Sequence, residues 1–206
     1  MSEAAWHRPP LTLLWQHHFI KNPTVNTNVP LLSVDPDVSI ADSELVAELL
    51  GRSPRGLKSI AIRADNGSPV VIQVSSLVDE KPFPTLFWLV DKQLNYAIDR
   101  MEAGGFITLC QARVDASTTL QQELAAQHQA YIDLRHSLTS PEEQNTLENL
   151  GFSAPLQQRG IGGIQNFSRI RCLHTYYAAH LVVPNKVGDM VDDYWLAEGI
   201  SFSHLV

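Results

Sequence analysis

The sequence predicts an α+β fold, in which a small three-stranded and mainly antiparallel sheet packs with about five helices in a single domain. The β-rich runs are grouped before residue 91, and most of the segments with helical periodicity follow them. An Asn-Gly dipeptide between two of the β-rich runs is typical of a tight hairpin turn. With 206 residues and 44% hydrophobic content, the chain can bury one core of ordinary size.

The elements of the first half follow from local signals. Residues 1–38 are broken by prolines and are predicted to be an N-terminal extension, in which TLLWQHHFI could form one strand. The folded domain then spans residues 39–206. Its first helix is expected from about Ser39 to Leu50, with Gly51 as a left-handed cap. Two strands joined at Asn66-Gly67 come next, and TLFWLV is a plausible third strand.

Longer helices are predicted after the strands. Asp91 suits the N-cap of a helix that ends at Gly104-Gly105, and the longest helix should run from about Ser117 to Leu138. On that helix His128, Tyr131 and Arg135 share one side, because they are three and four residues apart. They could line a cleft, or Tyr131 could simply anchor the helix.

Composition narrows the function classes. The net charge of −7 argues against general nucleic-acid binding, which needs a basic surface. Apolar runs are too short to cross a membrane, the N-terminus lacks the features of a signal peptide, and two cysteines are too few for a disulfide framework. We therefore expect a cytoplasmic protein with no membrane and no nucleic-acid partner.

Two stretches of the chain lack acidic residues and suggest a basic pocket. They span Leu49–Ala64 and Asn149–Gly188. If they meet in space, they would bind an anionic small molecule, for instance a phosphate, because arginine forms bidentate bonds with such groups. A glycine-rich loop before a helix N-terminus would add backbone N–H donors. The predicted ligand-binding residues are Arg52, Arg55, Arg63, Arg159, Gly162, Gly163, Arg169, Arg171, His174 and His180.

The segment RCLHTYYAAH holds Cys172, His174 and His180 within ten residues. Apolar side chains on both sides indicate a buried helix, on which His174 would be a hydrogen-bonded core residue. On one continuous helix His174 and His180 lie about 9 Å apart along the axis, so they cannot share a metal ion. Cys172 and His174 could share one only if the helix begins near Leu173. Cys172 is also a candidate nucleophile, and His174 a candidate acid or base.

Several blocks together resemble a bacterial family known as domain of unknown function 501, sometimes labelled a septum formation initiator family. They are LLGRSPRGLKSIAIR, KPFPTLFWLV, RMEAGG, HQAYIDLR and GGIQNFSRIRCLHTYYAAH with NKVGD, across roughly residues 40–190. The resemblance implies no established activity. It also implies cysteines where this chain has Ala64 and Asp91, whereas Cys172, His174 and His180 match. Neither a membrane span nor sustained heptads support the septum label.

Three functional hypotheses follow from the sequence. The first is an arginine-rich site for an anionic small ligand, with His174 available for acid–base chemistry. The second is a non-catalytic protein that binds a protein partner. The third is a metal site of Cys172, His174 and Asp91, in which Asp91 could instead serve only as a helix N-cap. No cofactor is strongly implied, and whether the protein is an enzyme is left open.

Overall fold

The structure is a computed structural model that describes residues 38–202. Along this part of the chain it has eight α-helices, five strands and a short 3₁₀ turn, so the predicted α+β class is confirmed. The predicted strand TLLWQHHFI falls outside the described residues. The elements are α1 Ile40–Leu50, β1 Leu57–Arg63, β2 Pro69–Val74, β3 Leu77–Val78, β4 Lys81–Pro82, β5 Phe87–Leu89, α2 Lys92–Ala103, α3 Phe106–Asp115, α4 Thr118–Leu138, α5 Pro141–Asn149, α6 Ser153–Gln157, the 3₁₀ turn Ile161–Gly163, α7 Leu173–His180 and α8 Lys186–Ala197.

The three-stranded sheet has the order β1-β2-β5, with both pairs antiparallel. The predicted hairpin between β1 and β2 is confirmed: the Ala64 N–H donates to the Ser68 carbonyl, and Gly67 has a φ of 82°. The Asn66 side chain accepts from the Ser68 N–H, a bond typical of Asn in turns. Strands β3 and β4 form a separate two-stranded ribbon.

The sheet separates a small core from a large one, because alternate side chains of a strand point to opposite faces. On one face Ile72 packs with Val46 of α1, in a cluster that also takes Trp88. On the other face Val71 and Phe87 join the large core, to which α7 contributes buried side chains. Strand β2 lies in the centre and is buried throughout. The two faces therefore carry different parts of the candidate ligand-binding set.

Local capping signals define the helix ends as predicted. The Ser39 side chain accepts from the Asp42 N–H, and the Asp91 side chain accepts from the Leu94 N–H. Gly51 ends α1 in the left-handed conformation. The described residues form eight helices, more than the predicted five. One of the additional helices is α3, because Gly105, expected to follow the end of a helix, also begins a new one at once with a φ of 82°. Along residues 38–202 no helix is both long and apolar enough to span a bilayer.

Candidate metal centre

The C-terminal half of α2 faces the N-terminal end of α7 with two carboxylates. Asp99 and Glu102 are three residues apart and therefore share one face of α2. At the start of α7 stand Cys172, which is the N-cap residue, and His174, in the first turn. These four side chains meet where the two helices come together, on the face of the sheet that carries the large core.

Three ligand-type atoms converge within this group. The Cys172 Sγ lies 3.7 Å from the His174 Nδ1, and the same nitrogen lies 3.3 Å from the Glu102 Oε1. One ligand atom each from Glu102, Cys172 and His174 lies within 4.8 Å of the others. The His174 and Glu102 side chains keep 23% and 25% of their exposure, so a small ion could reach them from solvent.

The late start of α7 makes this convergence possible. The helix begins at Leu173, and Cys172 has an extended backbone with a φ of −148° and a ψ of 120°. The sequence-based condition for Cys172 and His174 to share a metal ion is therefore met. Glu102 fixes the position of this helix start, since its Oε1 accepts the Leu173 N–H at 2.6 Å. An N–H in the first turn of a helix has no partner within the helix, so this bond satisfies it.

Two of the interatomic distances match the edges of a tetrahedral zinc site. With Zn–S near 2.3 Å, and Zn–N and Zn–O near 2.1 Å, tetrahedral angles place sulfur and nitrogen about 3.6 Å apart and nitrogen and oxygen about 3.4 Å apart. The corresponding distances here are 3.7 Å for Cys172 to His174 and 3.3 Å for His174 to Glu102. These two pairs of ligand atoms already have the separations that one bound zinc ion would require.

Further contacts hold the group in this arrangement. Asp99 Oδ1 lies 3.3 Å from the second ring nitrogen of His174, Nε2. A histidine that binds a metal usually donates its other N–H to such a carboxylate, which fixes the ring orientation. The hydrogen bond with Cys172 raises the pKa of His174 to about 9, helped by the charges of Glu102 and Asp99 and opposed by burial. A metal ion would therefore displace a proton from the imidazole.

Two other candidate residues, Asp91 and His180, lie away from this cluster. Asp91 does not join the cluster: it caps α2, eleven residues before Glu102, which corresponds to about 16 Å along the helix. Its alternative interpretation as an N-cap is confirmed. His180 ends α7, where its Nε2 contacts the Asp192 carboxylate at 3.0 Å and its Nδ1 accepts the Asn185 N–H. It is thus a structural partner of α8 and no part of this cluster.

The arginines of the first acid-free stretch lie on the α1 side of the sheet. Arg52 stacks over the Trp88 ring at 5.0 Å, and with Arg55 it lines a cavity of about 160 Å³. The Arg55 guanidinium is largely exposed and bonds with Asp79 at 2.7 Å. Arg63 forms a bidentate ion pair with Asp42 of α1. Acidic residues from elsewhere in the chain therefore neutralise two of these three arginines.

The arginines of the second stretch lie around the loop before α7, on the opposite side of the sheet. Arg159 donates to the Gly163 carbonyl, and Arg169 pairs weakly with Asp115 at 3.8 Å. Arg171 is exposed and has no ion pair within 4.0 Å in the part of the chain that the structure describes. The arginines of the two acid-free stretches thus lie on different sides of the sheet and do not converge on one pocket.

The glycine-rich loop makes close contacts with protein side chains. A Cβ on Gly160 would lie 2.2 Å from the His128 Nδ1, and one on Gly162, whose φ is 63°, would lie 2.6 Å from the Thr175 Oγ1. Gly163 packs similarly against Pro84. Most backbone N–H groups of this loop cannot donate to an anion, because those of residues 160, 161, 163 and 164 already donate to acceptors within the protein.

His128 connects the loop to α7 through a chain of hydrogen bonds. Its Nδ1 accepts the Ile161 N–H at 3.0 Å, so the ring proton resides on Nε2. Nε2 can then donate to the Tyr176 hydroxyl at 3.0 Å, which donates in turn to the Arg169 carbonyl at 3.1 Å. His128 is fully buried and stacks on Phe167. His128 therefore holds the loop in place, on the side of α4 that the sequence offered as a possible cleft wall.

Comparison with known proteins now identifies the family. The sequence model described as "Protein of unknown function (DUF501)" matches residues 60–193, which is more than half of the chain. The chain belongs to this family. Neither the curated proteins nor the solved structures include a match to it. Family membership confirms the resemblance found in the sequence and leaves the activity uncharacterised.

The DUF501 match covers some of the candidate site residues and leaves others outside. It includes the whole Glu102–Cys172–His174 cluster, whereas Arg52 and Arg55 precede it. Sequence reasoning missed Glu102 and Asp99, although the RMEAGG block contains Glu102 and an Asp-x-x-Glu spacing on a helix was readable. It also gave Arg135 only a minor place, although this arginine is 3% exposed and lies beside a cavity.

Proposed function

We propose that this DUF501 protein binds a divalent transition-metal ion, with zinc the best chemical match, through Glu102, Cys172 and His174. The proposal rests on the convergence of the three ligand atoms within 4.8 Å and on the agreement of two of their distances with the edges of a zinc tetrahedron. A thiolate, an imidazole and a carboxylate are all common zinc ligands, and the thiolate disfavours magnesium and calcium. The Asp99 contact to His174 supports the same assignment, since it would orient the ring.

Three protein ligands leave one coordination position open, which is the pattern of catalytic zinc sites and differs from that of closed structural ones. Zinc held this way lowers the pKa of a bound water to about 7 and polarises carbonyl or phosphoryl oxygens. Glu102, Cys172 and His174 would hold the ion, and Asp99 would keep the imidazole oriented. The half-buried position of His174 and Glu102 leaves the open side accessible to a substrate.

The test is metal analysis of the full chain, purified without a histidine tag or chelator. We expect about one zinc ion per chain, and a thiolate-to-metal charge-transfer band when cobalt replaces zinc. Cys172→Ser and His174→Gln should abolish both signals. Asp99→Asn should weaken zinc about 10- to 100-fold, as loss of a partner behind a ligating histidine does.

Matched controls separate a site from general loss of structure. Cys110→Ala removes the other thiol, which is buried in the large core, and His136→Gln removes an exposed histidine. Both variants should keep the cobalt band. The proposal fails if the protein binds no zinc or cobalt stoichiometrically, or if the controls lose metal as readily as Cys172→Ser. Rapid alkylation of Cys172 in such a metal-free protein would instead support a thiol nucleophile paired with His174.

A second candidate function is the binding of an anionic small ligand by Arg52 and Arg55. The observation in its favour is their shared cavity, which also includes the Trp88 ring. Arg55 would have to exchange its Asp79 partner for the ligand. Titration with inorganic phosphate tests this, because Arg52→Gln and Arg55→Gln should each remove binding at this cavity, whereas Lys92→Gln, on α2, should not. Equal binding by all four proteins would refute it.

We also propose a cytoplasmic location. Both cysteines are free thiols, one of them half-exposed, and such thiols persist in a reducing compartment. Cell fractionation with an antibody against the chain tests this, and recovery with membranes or in the culture medium would contradict it.

A further inference from the structure

Arg135 is a buried cation without a carboxylate partner. The residue lies on α4 and is only 3% exposed. Its guanidinium donates to the Pro84 carbonyl at 2.9 Å and to the Leu156 carbonyl. Over residues 38–202, no carboxylate lies within 4.0 Å of it. Burial lowers the pKa of Arg135, and the neighbouring Tyr131 opposes that shift only in part.

Such an arrangement is energetically unusual. A buried charge costs several kcal/mol unless an opposite charge or a full set of hydrogen bonds compensates it. Two carbonyl bonds use two of the five guanidinium donors and bring no opposite charge. The face of the Tyr131 ring, 5.8 Å away, adds only a weak attraction. An anion beside Arg135 would supply the missing countercharge.

A cavity suited to an anion lies next to this side chain. It has a volume of about 230 Å³, and its lining includes Arg135, His136, Ser76 and Thr139. The Ser76 and Thr139 hydroxyls bond to each other, and Thr139 also donates to the Arg135 carbonyl. The Gln144 side chain shapes the same wall, since it donates to the His136 and Thr139 carbonyls. Pockets for drug-sized ligands typically start at about 300 Å³, so this one suits a smaller molecule.

We infer that this cavity is a binding site for a small molecule with a single phosphate or carboxylate group, which Arg135 holds as its countercharge. Both groups present two oxygens that a guanidinium can bind side by side. Glu148 also lines the cavity, and its negative charge sets an upper limit on affinity for a doubly charged anion. The site is separate from the proposed metal centre and from the cavity of Arg52 and Arg55.

Calorimetric titration of the full chain with inorganic phosphate, and separately with acetate, tests the inference at constant ionic strength. We expect saturable binding of one molecule in at least one arm, and the stronger arm identifies the chemical class. Arg135→Lys should weaken binding 10-fold or more, because an ammonium cannot keep both carbonyl bonds and a bidentate anion. Glu148→Gln should strengthen binding several-fold, and Lys92→Gln, which changes a residue of neither cavity, should leave it unchanged.

A second measurement keeps the inference testable if Arg135→Lys does not fold. In the unmodified chain, phosphate or acetate should shift the backbone amide resonances of Ser76, Thr139 and Gln144 in heteronuclear NMR spectra. Shifts centred on Arg52 and Arg55 would overturn the assignment. Absence of saturable binding in both the unmodified chain and Glu148→Gln would also overturn it, and would leave Arg135 as a purely structural link between two carbonyls.

Discussion

Acidification should destabilise the protein through His128. This side chain is fully buried, and burial lowers its pKa from 6.5 to about 4. Its Nδ1 must stay unprotonated to accept the Ile161 N–H. Protonation of Nδ1 would place a second N–H donor opposite that of Ile161, and the hydrogen bond would be lost. Above pH 6.5 the ring is neutral in both the folded and the unfolded chain, and its contribution is complete. As the pH falls toward 4, the unfolded chain takes up the proton first, and stability is lost.

The pKa difference sets the size of the effect. Each pKa unit corresponds to about 1.4 kcal/mol, so the full loss below pH 4 is about 3 kcal/mol. Between pH 7 and pH 5, linkage gives a loss of about 2 kcal/mol in the free energy of unfolding from this residue alone. That is a large fraction of the about 5–15 kcal/mol that stabilises a typical domain.

Urea denaturation at pH 7 and pH 5 measures this effect, with His128→Asn as the matched variant. The asparagine oxygen can replace Nδ1 as the acceptor for Ile161 and does not titrate. The variant should be less stable at pH 7, because it loses the Phe167 stack and the Tyr176 bond. Its stability should nevertheless fall about 2 kcal/mol less than that of the unmodified chain on going to pH 5. Equal losses in both proteins would refute the reasoning.

Three further substitutions have effects that the contacts define, and urea denaturation at pH 7 measures each. Gly160→Ala should cost about 1–3 kcal/mol, because its Cβ would lie 2.2 Å from the His128 Nδ1; unchanged stability would contradict this. Tyr131→Phe removes the acceptor of the buried Leu86 N–H, a bond of 2.6 Å, and should lower the free energy of unfolding by about 1–3 kcal/mol. A loss near zero would contradict this. Asp91→Ala should cost about 1 kcal/mol through the lost cap, yet should leave the zinc content unchanged, and loss of zinc would return Asp91 to the site.

The predictable parts of the fold depend on neighbours in sequence. Ser39 and Asp91 cap helices through N–H groups three residues away, and Asn66-Gly67 makes a turn from its own backbone preferences. Such interactions involve one short segment, so a single sequence reveals them. The start of α7 was harder to predict, because Glu102, 71 residues before Leu173, holds it in place.

The sequence does not reveal site contacts whose partner comes from a distant segment. The run of positive charge around Arg52, Arg55 and Arg63 was visible, but Asp79 and Asp42 that neutralise it are not adjacent to it. Nor does a charge pattern reveal on which face of a sheet an arginine will lie. The pair of Cys172 and His174 was identifiable from its two-residue spacing, whereas its third member required knowledge of helix packing.

The bond from Leu173 to Glu102 joins two segments that are synthesised at different times. Helix α2 leaves the ribosome about seventy residues before α7. Its Glu102 carboxylate therefore has no Leu173 N–H to accept until α7 has been synthesised and has docked. A peptide that copies RCLHTYYAAH would present the thiol and the imidazole without the groups that orient them. Any signal from the assembled cluster therefore reports that α7 has reached its native position beside α2.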